Sequence, residues 1–156
     1  MMNIQWRMFI KWTFIILLSF VVLVIVFFQL FGLYRVYGDS MEPALKHDEM
    51  VMTFKWGRDP EVGDIILFRQ DQNIYIKRVV ALSGSTVEAK NQRLSINGKP
   101  AKEEYLSKEQ PLQAFGPVNV PEEAVFVLGD DREKSYDSRK MGPISKERIK
   151  GILIVH

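Results

Sequence analysis

The residues whose types and spacing could support catalysis begin with the segment Gly38-Asp39-Ser40-Met41-Glu42-Pro43. A serine lies here between a glycine turn and a proline, shortly after a long apolar run. A serine hydroxyl is a poor nucleophile until a neighbouring base takes its proton. Because most Gly-x-Ser sequences are only turns, the segment predicts an active site only if the chain also supplies a base.

The chain offers few bases that could activate Ser40. It has no cysteine, and its two histidines, His47 and His156, lie far apart without metal-ligand spacing, so we interpret both as surface residues. Lys77 interrupts the apolar segment Ile74-Tyr75-Ile76-Lys77-Arg78-Val79-Val80. If its side chain points inward, burial lowers the lysine pKa by several units from about 10.4 and leaves an amine that can take a proton. The competing interpretation places Lys77 in solvent on an edge strand, and this segment alone favours that one.

A second polar cluster follows an apolar stretch nearer the C-terminal end. It reads Gly129-Asp130-Asp131-Arg132-Glu133-Lys134-Ser135-Tyr136-Asp137-Ser138-Arg139. An ordinary charged turn explains such a sequence, but Asp137 and Arg139 can also pair, and Ser135 can hydrogen-bond a neighbouring amine. The Asp-x-Asp spacing also suggests a calcium loop, whose distal glutamate is missing. We therefore predict no metal and no cofactor.

An apolar segment at residues 13–33 precedes these groups. Its 21 residues carry no charge, and as a helix they extend about 31 Å, which matches the hydrocarbon core of a bilayer. A cleaved secretory signal peptide is the alternative, but the segment is long and lacks a small-x-small cleavage pattern, so we predict an uncleaved anchor. Arg7 and Lys11 flank its start, which predicts that residues 1–12 are cytoplasmic and that residues 34–156 form an extracytoplasmic domain.

This anchor limits where a reaction at Ser40 can occur. Ser40 lies seven residues after Leu33, so even a fully extended chain holds it within roughly 23 Å of the membrane surface. A membrane-bound substrate is therefore plausible on distance alone.

The rest of the chain predicts a mainly β fold, an antiparallel β catalytic domain preceded by one N-terminal transmembrane helix. Its short apolar or alternating segments are separated by Gly, Pro and Asp turns, and the predicted strands are residues 36–40, 49–54, 65–68, 73–82, 124–128 and 152–155. Asn97-Gly98 is typical of a type I′ hairpin turn. Residues 101–117 are polar and irregular, which predicts a surface excursion. Beyond the anchor, 19 basic residues balance 19 acidic ones, so no nucleic-acid partner is expected.

Taken in order, these motifs strongly resemble the type I signal peptidases, the membrane-anchored serine proteases that remove signal peptides from exported proteins. The likeness covers nearly the whole chain. Gly-Asp-Ser-Met-Glu-Pro at 38–43 matches the family's nucleophile box, Gly63-Asp64-Ile65-Ile66 a structural box, and Lys77-Arg78-Val79-Val80 the general-base box. The segment from Gly129 to Gly142 matches the last box.

The resemblance implies a role for each residue of these boxes. Ser40 is the implied nucleophile and Lys77 the general base, while Ser135 orients the lysine. Asp130, Asp137 and Arg139 hold the site together. The oxyanion would be bound by the backbone N–H of Ser40, and Gly38, where some relatives carry a serine hydroxyl, could contribute only its backbone. Lysine at position 77 resembles the prokaryotic type.

The sequence departs from the family pattern at four positions. Ala44 stands where threonine is usual, Ala81 and Ser83 replace a common glycine and proline, and Asp131 replaces an asparagine. None of these changes removes an implied catalytic group. A carboxylate at Asp131, if close to Lys77, would raise the lysine pKa and weaken the base.

By this resemblance, the expected partners are secretory preproteins and membrane lipid, in the neighbourhood of the secretion translocon. Three other interpretations remain open at this point. A self-cleaving repressor-type protease shares the Ser–Lys chemistry, but the anchor argues against it. A catalytically silent relative and a membrane-anchored β-domain binding protein are the other two.

Overall fold

The computed structural model describes residues 4–55, 57, 59–106 and 111–154. Its first element is helix α1, Ile4–Leu30, and the part from Gln5 to Leu30 is long and apolar enough to cross a membrane. The apolar pattern predicted a helix over residues 13–33. The helix instead begins earlier and ends at Leu30, because Phe31 is already paired with Phe54 in a sheet.

Eleven strands follow within the described residues, all in antiparallel pairs. In chain order they are β1 Phe31–Arg35, β2 Met50–Phe54, β3 Ile65–Gln70, β4 Asn73–Leu82, β5 Thr86–Lys90, β6 Arg93–Ile96, β7 Lys99–Pro100, β8 Phe115–Asn119, β9 Ala124–Leu128, β10 Ile144–Ser145 and β11 Ile149–Leu153. A short helix, α2 Ser138–Met141, and a 3₁₀ turn, Lys146–Arg148, separate the last three strands. The predicted fold class, mainly antiparallel β behind one apolar helix, is confirmed.

The strands form two sheets. The larger has the order β1-β2-β11-β3-β4-β9-β10, and the smaller has the order β7-β6-β5-β8. One core cluster, which includes Val80, Val87, Phe126 and Leu128, joins strands of both sheets. The site groups come from the larger sheet, because β4 carries Lys77 and β9 leads into the polar cluster after Leu128.

Two strand predictions were wrong in position. Residues 36–40 were predicted as a strand, but the strand is β1, five residues earlier, and residues 36–40 enter a turn. The predicted last strand, residues 152–155, begins at Ile149 instead, and residue 155 lies outside the described residues. In both cases the partner strand sets the bounds: β1 pairs along all of β2, and β11 pairs with β3.

Candidate active site

Ser40 lies in the turn between β1 and β2. The turn is closed by hydrogen bonds from Glu42 N to Asp39 O (3.0 Å) and from Leu45 N to Met41 O (2.9 Å). Met41 and Leu45 are buried beneath it in an apolar cluster. The apolar side chains at positions 41 and 45 therefore fasten the turn to the core, while Ser40 keeps a half-buried position above them.

Lys77 meets Ser40 inside the protein. Strand β4 pairs with β3 so that Lys77 faces Ile66, and Lys77 is only 4% exposed. Its Nζ donates to Ser40 Oγ at 2.7 Å and to the carbonyl of Ile76 at 2.8 Å. Of the two interpretations of Lys77, the inward one is therefore right, and the predicted nucleophile and base are in contact.

The environment of Lys77 brings the pKa of its amine closer to neutrality. Burial lowers the lysine pKa to about 8, against the carboxylates of Asp137 and Asp130, which raise it. At this pKa an appreciable fraction of the amine is unprotonated near neutral pH. A buried lysine with such a pKa is a chemically competent proton acceptor.

The polar cluster after β9 reaches the site because of strand register. Arg78 pairs with Leu128, so the chain that leaves β9 passes beside Lys77. Asp131 N donates to Ser40 O at 3.1 Å. A Cβ atom on Gly129 would lie 2.3 Å from Ser135 Oγ and 2.5 Å from Ser40 O. The absence of a side chain at Gly129 therefore lets the Ser40 turn and the Ser135 turn approach each other.

Ser135 is buried at this junction. Its residue is 4% exposed, and its Oγ approaches the Asp137 carboxylate closely enough to lower the pKa of that group. Within the described part of the chain, however, Ser135 Oγ makes no hydrogen bond of good geometry. The hydroxyl is thus available beside the site, and no contact with Lys77 supports its implied orienting role.

Asp130 is buried opposite Arg78. The Arg78 guanidinium donates from Nε to Asp130 Oδ1 (2.9 Å) and from Nη2 to Oδ2 (2.6 Å). Its Nη1 donates to Gly63 O at 2.9 Å. This bidentate pair connects β4, the turn before β3 and the turn after β9, so it fixes the strand that carries Lys77.

Asp137 performs a similar function on the other side of Ser135. It forms a bidentate pair with Arg139 at 2.8 Å for both bonds, accepts from Gly129 N at 3.0 Å, and caps the start of α2. Burial alone would raise the pKa of Asp137, but the hydrogen bonds from Arg139 and Gly129 outweigh it, so the pKa is lowered. Asp137 is therefore charged and holds the Ser135 turn against Gly129.

The Asp131 carboxylate, which would raise the pKa of Lys77 if it lay close to the amine, makes its contacts within its own turn instead. Its Oδ1 accepts from the backbone N–H groups of Glu133 (3.2 Å) and Lys134 (3.1 Å), and its Oδ2 lies 3.4 Å from Lys134 Nζ. The carboxylates that raise the pKa of Lys77 are those of Asp137 and Asp130. The Asp131 carboxylate therefore stabilises its own turn, and Lys134 partly balances its negative charge.

Sequence reasoning missed several residues around the site. The Tyr105 ring lies under the Arg78 guanidinium at 4.5 Å, and Glu103 pairs with the buried Arg132. Gly38 N donates to His47 Nδ1 at 2.9 Å, so His47, although exposed, closes the base of the Ser40 turn. No local pattern distinguished these residues, since their partners are distant in sequence or depend on the turn conformation.

Among residues 4–55, 57, 59–106 and 111–154, no group of three or more His, Asp or Glu side chains is placed to hold a metal ion. The chemical resources of the site are thus a hydroxyl, a buried amine, a second hydroxyl and two carboxylate–guanidinium pairs.

The fold and the site together define a class: an antiparallel β protein with an N-terminal apolar helix, in which a serine hydroxyl contacts a buried lysine amine. Comparison with known proteins identifies the family. Residues 6–155 match the family described as "Signal peptidase, peptidase S26", and the chain belongs to this family of peptidases.

Similar proteins support the same assignment. The chain is 42% identical over 136 residues to signal peptidase I S of Bacillus subtilis, covering 78% of this chain and 74% of the relative. It is 41% identical over 135 residues to a signal peptidase I of Bacillus amyloliquefaciens, covering 78% and 73%. A crystal structure of a signal peptidase I from Enterococcus faecalis superimposes with a TM-score of 0.54 at 34% identity, covering 62% of this chain and 98% of that one.

Proposed function

We propose that this peptidase removes N-terminal signal peptides from exported preproteins, with Ser40 as nucleophile and Lys77 as general base. The observation that carries the proposal is the 2.7 Å contact between Ser40 Oγ and the buried Nζ of Lys77. A neutral amine at this distance can accept the hydroxyl proton as Ser40 attacks the scissile carbonyl.

The reaction proceeds through an acyl-enzyme. Ser40 Oγ bonds to the carbonyl carbon while its proton passes to Lys77 Nζ. The tetrahedral intermediate collapses as its C–N bond breaks, and the Lys77 ammonium returns the proton to the leaving amine. A water molecule, deprotonated by Lys77, then attacks the ester, and Ser40 regains its proton as the carboxylate product leaves.

The supporting residues stabilise this arrangement. The backbone N–H of Ser40 binds the developing oxyanion, and Gly38 contributes backbone only, so catalysis depends on the geometry of the turn. Asp130 and Asp137 hold the surrounding turns through their arginine partners. Ser135 is buried without a hydrogen bond of good geometry within the described residues, and its proposed role, orienting Lys77, is the one that the family resemblance implies.

The substrate binds in an extended conformation beside the site, adding a strand. Family resemblance implies small residues at the first and third positions before the cut. Helix α1 anchors the protein in the cytoplasmic membrane as a single span. Because Arg7 and Lys11 precede the apolar core, the N-terminus is cytoplasmic and the β domain lies at the outer face of the membrane. There it contacts membrane lipid and meets preproteins near the secretion translocon.

The test is processing of a secretory preprotein by the wild type, Ser40→Ala and Lys77→Ala. Each substitution is expected to abolish cleavage while the protein stays folded and membrane-bound. Ser83→Ala and Lys46→Ala, which alter exposed residues, serve as matched controls and are expected to cleave normally.

Undiminished cleavage by the Ser40→Ala protein would contradict the mechanism. Absence of cleavage by the wild type on several preproteins would favour a silent membrane-anchored binding protein.

A further inference from the structure

The anchor helix and the catalytic sheet are joined without a linker. Helix α1 ends at Leu30 and β1 begins at Phe31. Strand β1 then pairs with β2 over five consecutive residue pairs, from Phe31↔Phe54 to Arg35↔Met50. The chain that leaves the helix is therefore hydrogen-bonded into the sheet at once.

Lys55 holds the end of this helix. The last four carbonyls of a helix have no donors within the helix, and the last turn of α1 contains no basic residue. Lys55, directly after β2, supplies two donors to these carbonyls. Its backbone N donates to Leu30 O at 2.9 Å, and its Nζ donates to Phe28 O at 3.2 Å. A positive charge here also complements the negative end of the helix dipole.

Three aromatic rings also connect the end of the helix to the sheet. The ring centroids of Phe27 and Phe31 are 4.8 Å apart, and those of Phe31 and Phe54 are 5.6 Å apart. Phe27 belongs to the helix, Phe31 to β1 and Phe54 to β2. These tilted ring contacts thus cross the junction and restrict bending between the helix and the sheet.

We propose that Lys55 is a positioning residue, which together with the ring contacts of Phe27, Phe31 and Phe54 makes the anchor and the catalytic sheet one rigid piece. This inference rests on the proposed function. Ser40 is ten residues beyond Leu30, and a rigid junction holds it at one height and orientation above the bilayer. The position of the cut on a membrane-inserted signal peptide is therefore set by the junction as well as by the substrate pocket.

The test compares a membrane-inserted substrate with a soluble one. Full-length protein is reconstituted in vesicles of phosphatidylethanolamine and phosphatidylglycerol. One substrate set is a preprotein whose signal core is lengthened one leucine at a time, each residue adding about 1.5 Å as a helix. The second substrate is a soluble peptide that spans the same cleavage site.

Two variants disturb the junction in different ways. Lys55→Met removes the donor and the charge, with Lys55→Arg as a conservative variant and Lys99→Met as an exposed-lysine control. A Gly-Ser-Gly-Ser insertion between Leu30 and Phe31 breaks the rigid connection and adds at most about 14 Å.

The wild type is expected to cleave the preproteins best within a window of about two core lengths. Lys55→Met should lower cleavage of the optimal preprotein roughly three- to tenfold, Lys55→Arg should restore it, and the insertion should broaden or shift the window. Cleavage of the soluble peptide should stay within about twofold in every variant.

Three outcomes would overturn the inference. If Lys55→Met and the insertion process every preprotein as the wild type does, the junction positions nothing. If both substrates lose cleavage equally, Lys55 acts through the fold of the domain. If the wild type cleaves neither substrate, the proposed function itself fails, and the positioning role fails with it.

Discussion

Lys77 is subject to opposing influences whose balance decides whether it can act as a base. Burial lowers its pKa to about 8, while Asp137 and Asp130 raise it. Each of these carboxylates is paired with an arginine, Asp137 with Arg139 and Asp130 with Arg78. The arginines limit the attraction of the carboxylates for the Lys77 proton, so they help to keep the pKa of the proposed base low.

We predict that Arg139→Gln shifts the pH–rate profile to higher pH. Without Arg139, the charge of Asp137 is less compensated and stabilises the Lys77 ammonium, so the lysine pKa rises from about 8. Because the neutral amine is the proposed active form, activity is expected above this pKa and is expected to be lost as the pH falls through it. A shift of about one unit lowers the rate near pH 7 about tenfold and leaves the rate at pH 10 nearly intact.

The measurement is kcat/KM for a soluble peptide from pH 6 to pH 10.5. Arg148→Gln removes the same charge from an exposed position and is the matched control, with an unchanged profile expected. A uniform loss of rate at every pH would show that Arg139 only supports the fold.

At the scale of residues, the sequence could indicate only those site residues whose type and neighbours were unusual. A lysine among apolar residues was only a candidate base, because that segment alone favoured a solvent-exposed side chain, and the family resemblance then joined Lys77 to Ser40. His47 and Tyr105 could not be predicted, because their roles depend on contacts with Gly38 and Arg78 that only the folded chain creates.

At the scale of elements, the site is a junction of two turns. The turn after β1 carries Ser40, the turn after β9 carries Ser135, and Gly129 lies between them. Asp131 N binds Ser40 O across the same gap. The approach of the two turns therefore sets the position of Ser40, the proposed nucleophile.

We predict that Gly129→Ala greatly reduces activity. The new Cβ would lie 2.3 Å from Ser135 Oγ and 2.5 Å from Ser40 O, so the turns must separate. Overpacking of this kind costs about 1–3 kcal/mol of stability, and a displacement of about 1 Å at a reacting group costs roughly 100-fold in rate. Peptide cleavage and thermal unfolding of the full chain in detergent micelles test both effects.

Gly98→Ala is the control for this substitution. Gly98 has φ +74° with nothing within 4 Å of an added Cβ, so the change costs about 1 kcal/mol of backbone strain and should leave the rate unaltered. Normal cleavage by Gly129→Ala would mean that the two turns do not position Ser40.

The bounds of a strand could be predicted where the sequence pattern itself marked both of its ends. Strand β4 has the bounds predicted for it, because a long β-branched segment ends in a clear turn. Strand β1 was misplaced, since its residues belong to the same apolar run as the helix and only pairing with β2 separates them.

At the scale of the whole molecule, residues 101–106, which follow β7, connect the smaller sheet to the site. Tyr105 contacts Arg78, and Glu103 pairs with Arg132, which also donates from Nε to Gly129 O at 2.9 Å. The polar composition of residues 101–117 predicted a surface excursion and gave no sign of these contacts. Strand β8, which begins at Phe115, returns the chain to the smaller sheet.

We predict that Glu103→Gln destabilises the protein by about 3 kcal/mol, or roughly 6–12 °C in Tm. The Arg132 side chain is fully buried, and removal of its counter-charge leaves an uncompensated cation in the interior. Thermal unfolding of the full chain in detergent micelles measures the change.

Glu88→Gln is the matched control. Its partner, Lys90, is 71% exposed, so this pair contributes less than about 1 kcal/mol. Equal Tm values for the two variants would contradict a stabilising role for the Glu103–Arg132 pair.

The most direct test of Ser40 as nucleophile and Lys77 as general base is the pH dependence of acyl-enzyme formation. An ester of a signal-peptide sequence is mixed with the wild type, quenched in acid, and the modified residue is mapped by mass spectrometry. We predict that an acyl group forms on Ser40 at a rate that is half-maximal near pH 8, the pKa of Lys77. The Lys77→Ala variant is expected to form no such acyl group. An acyl group on another residue, or a rate independent of pH between 6 and 10, would contradict these roles of Ser40 and Lys77.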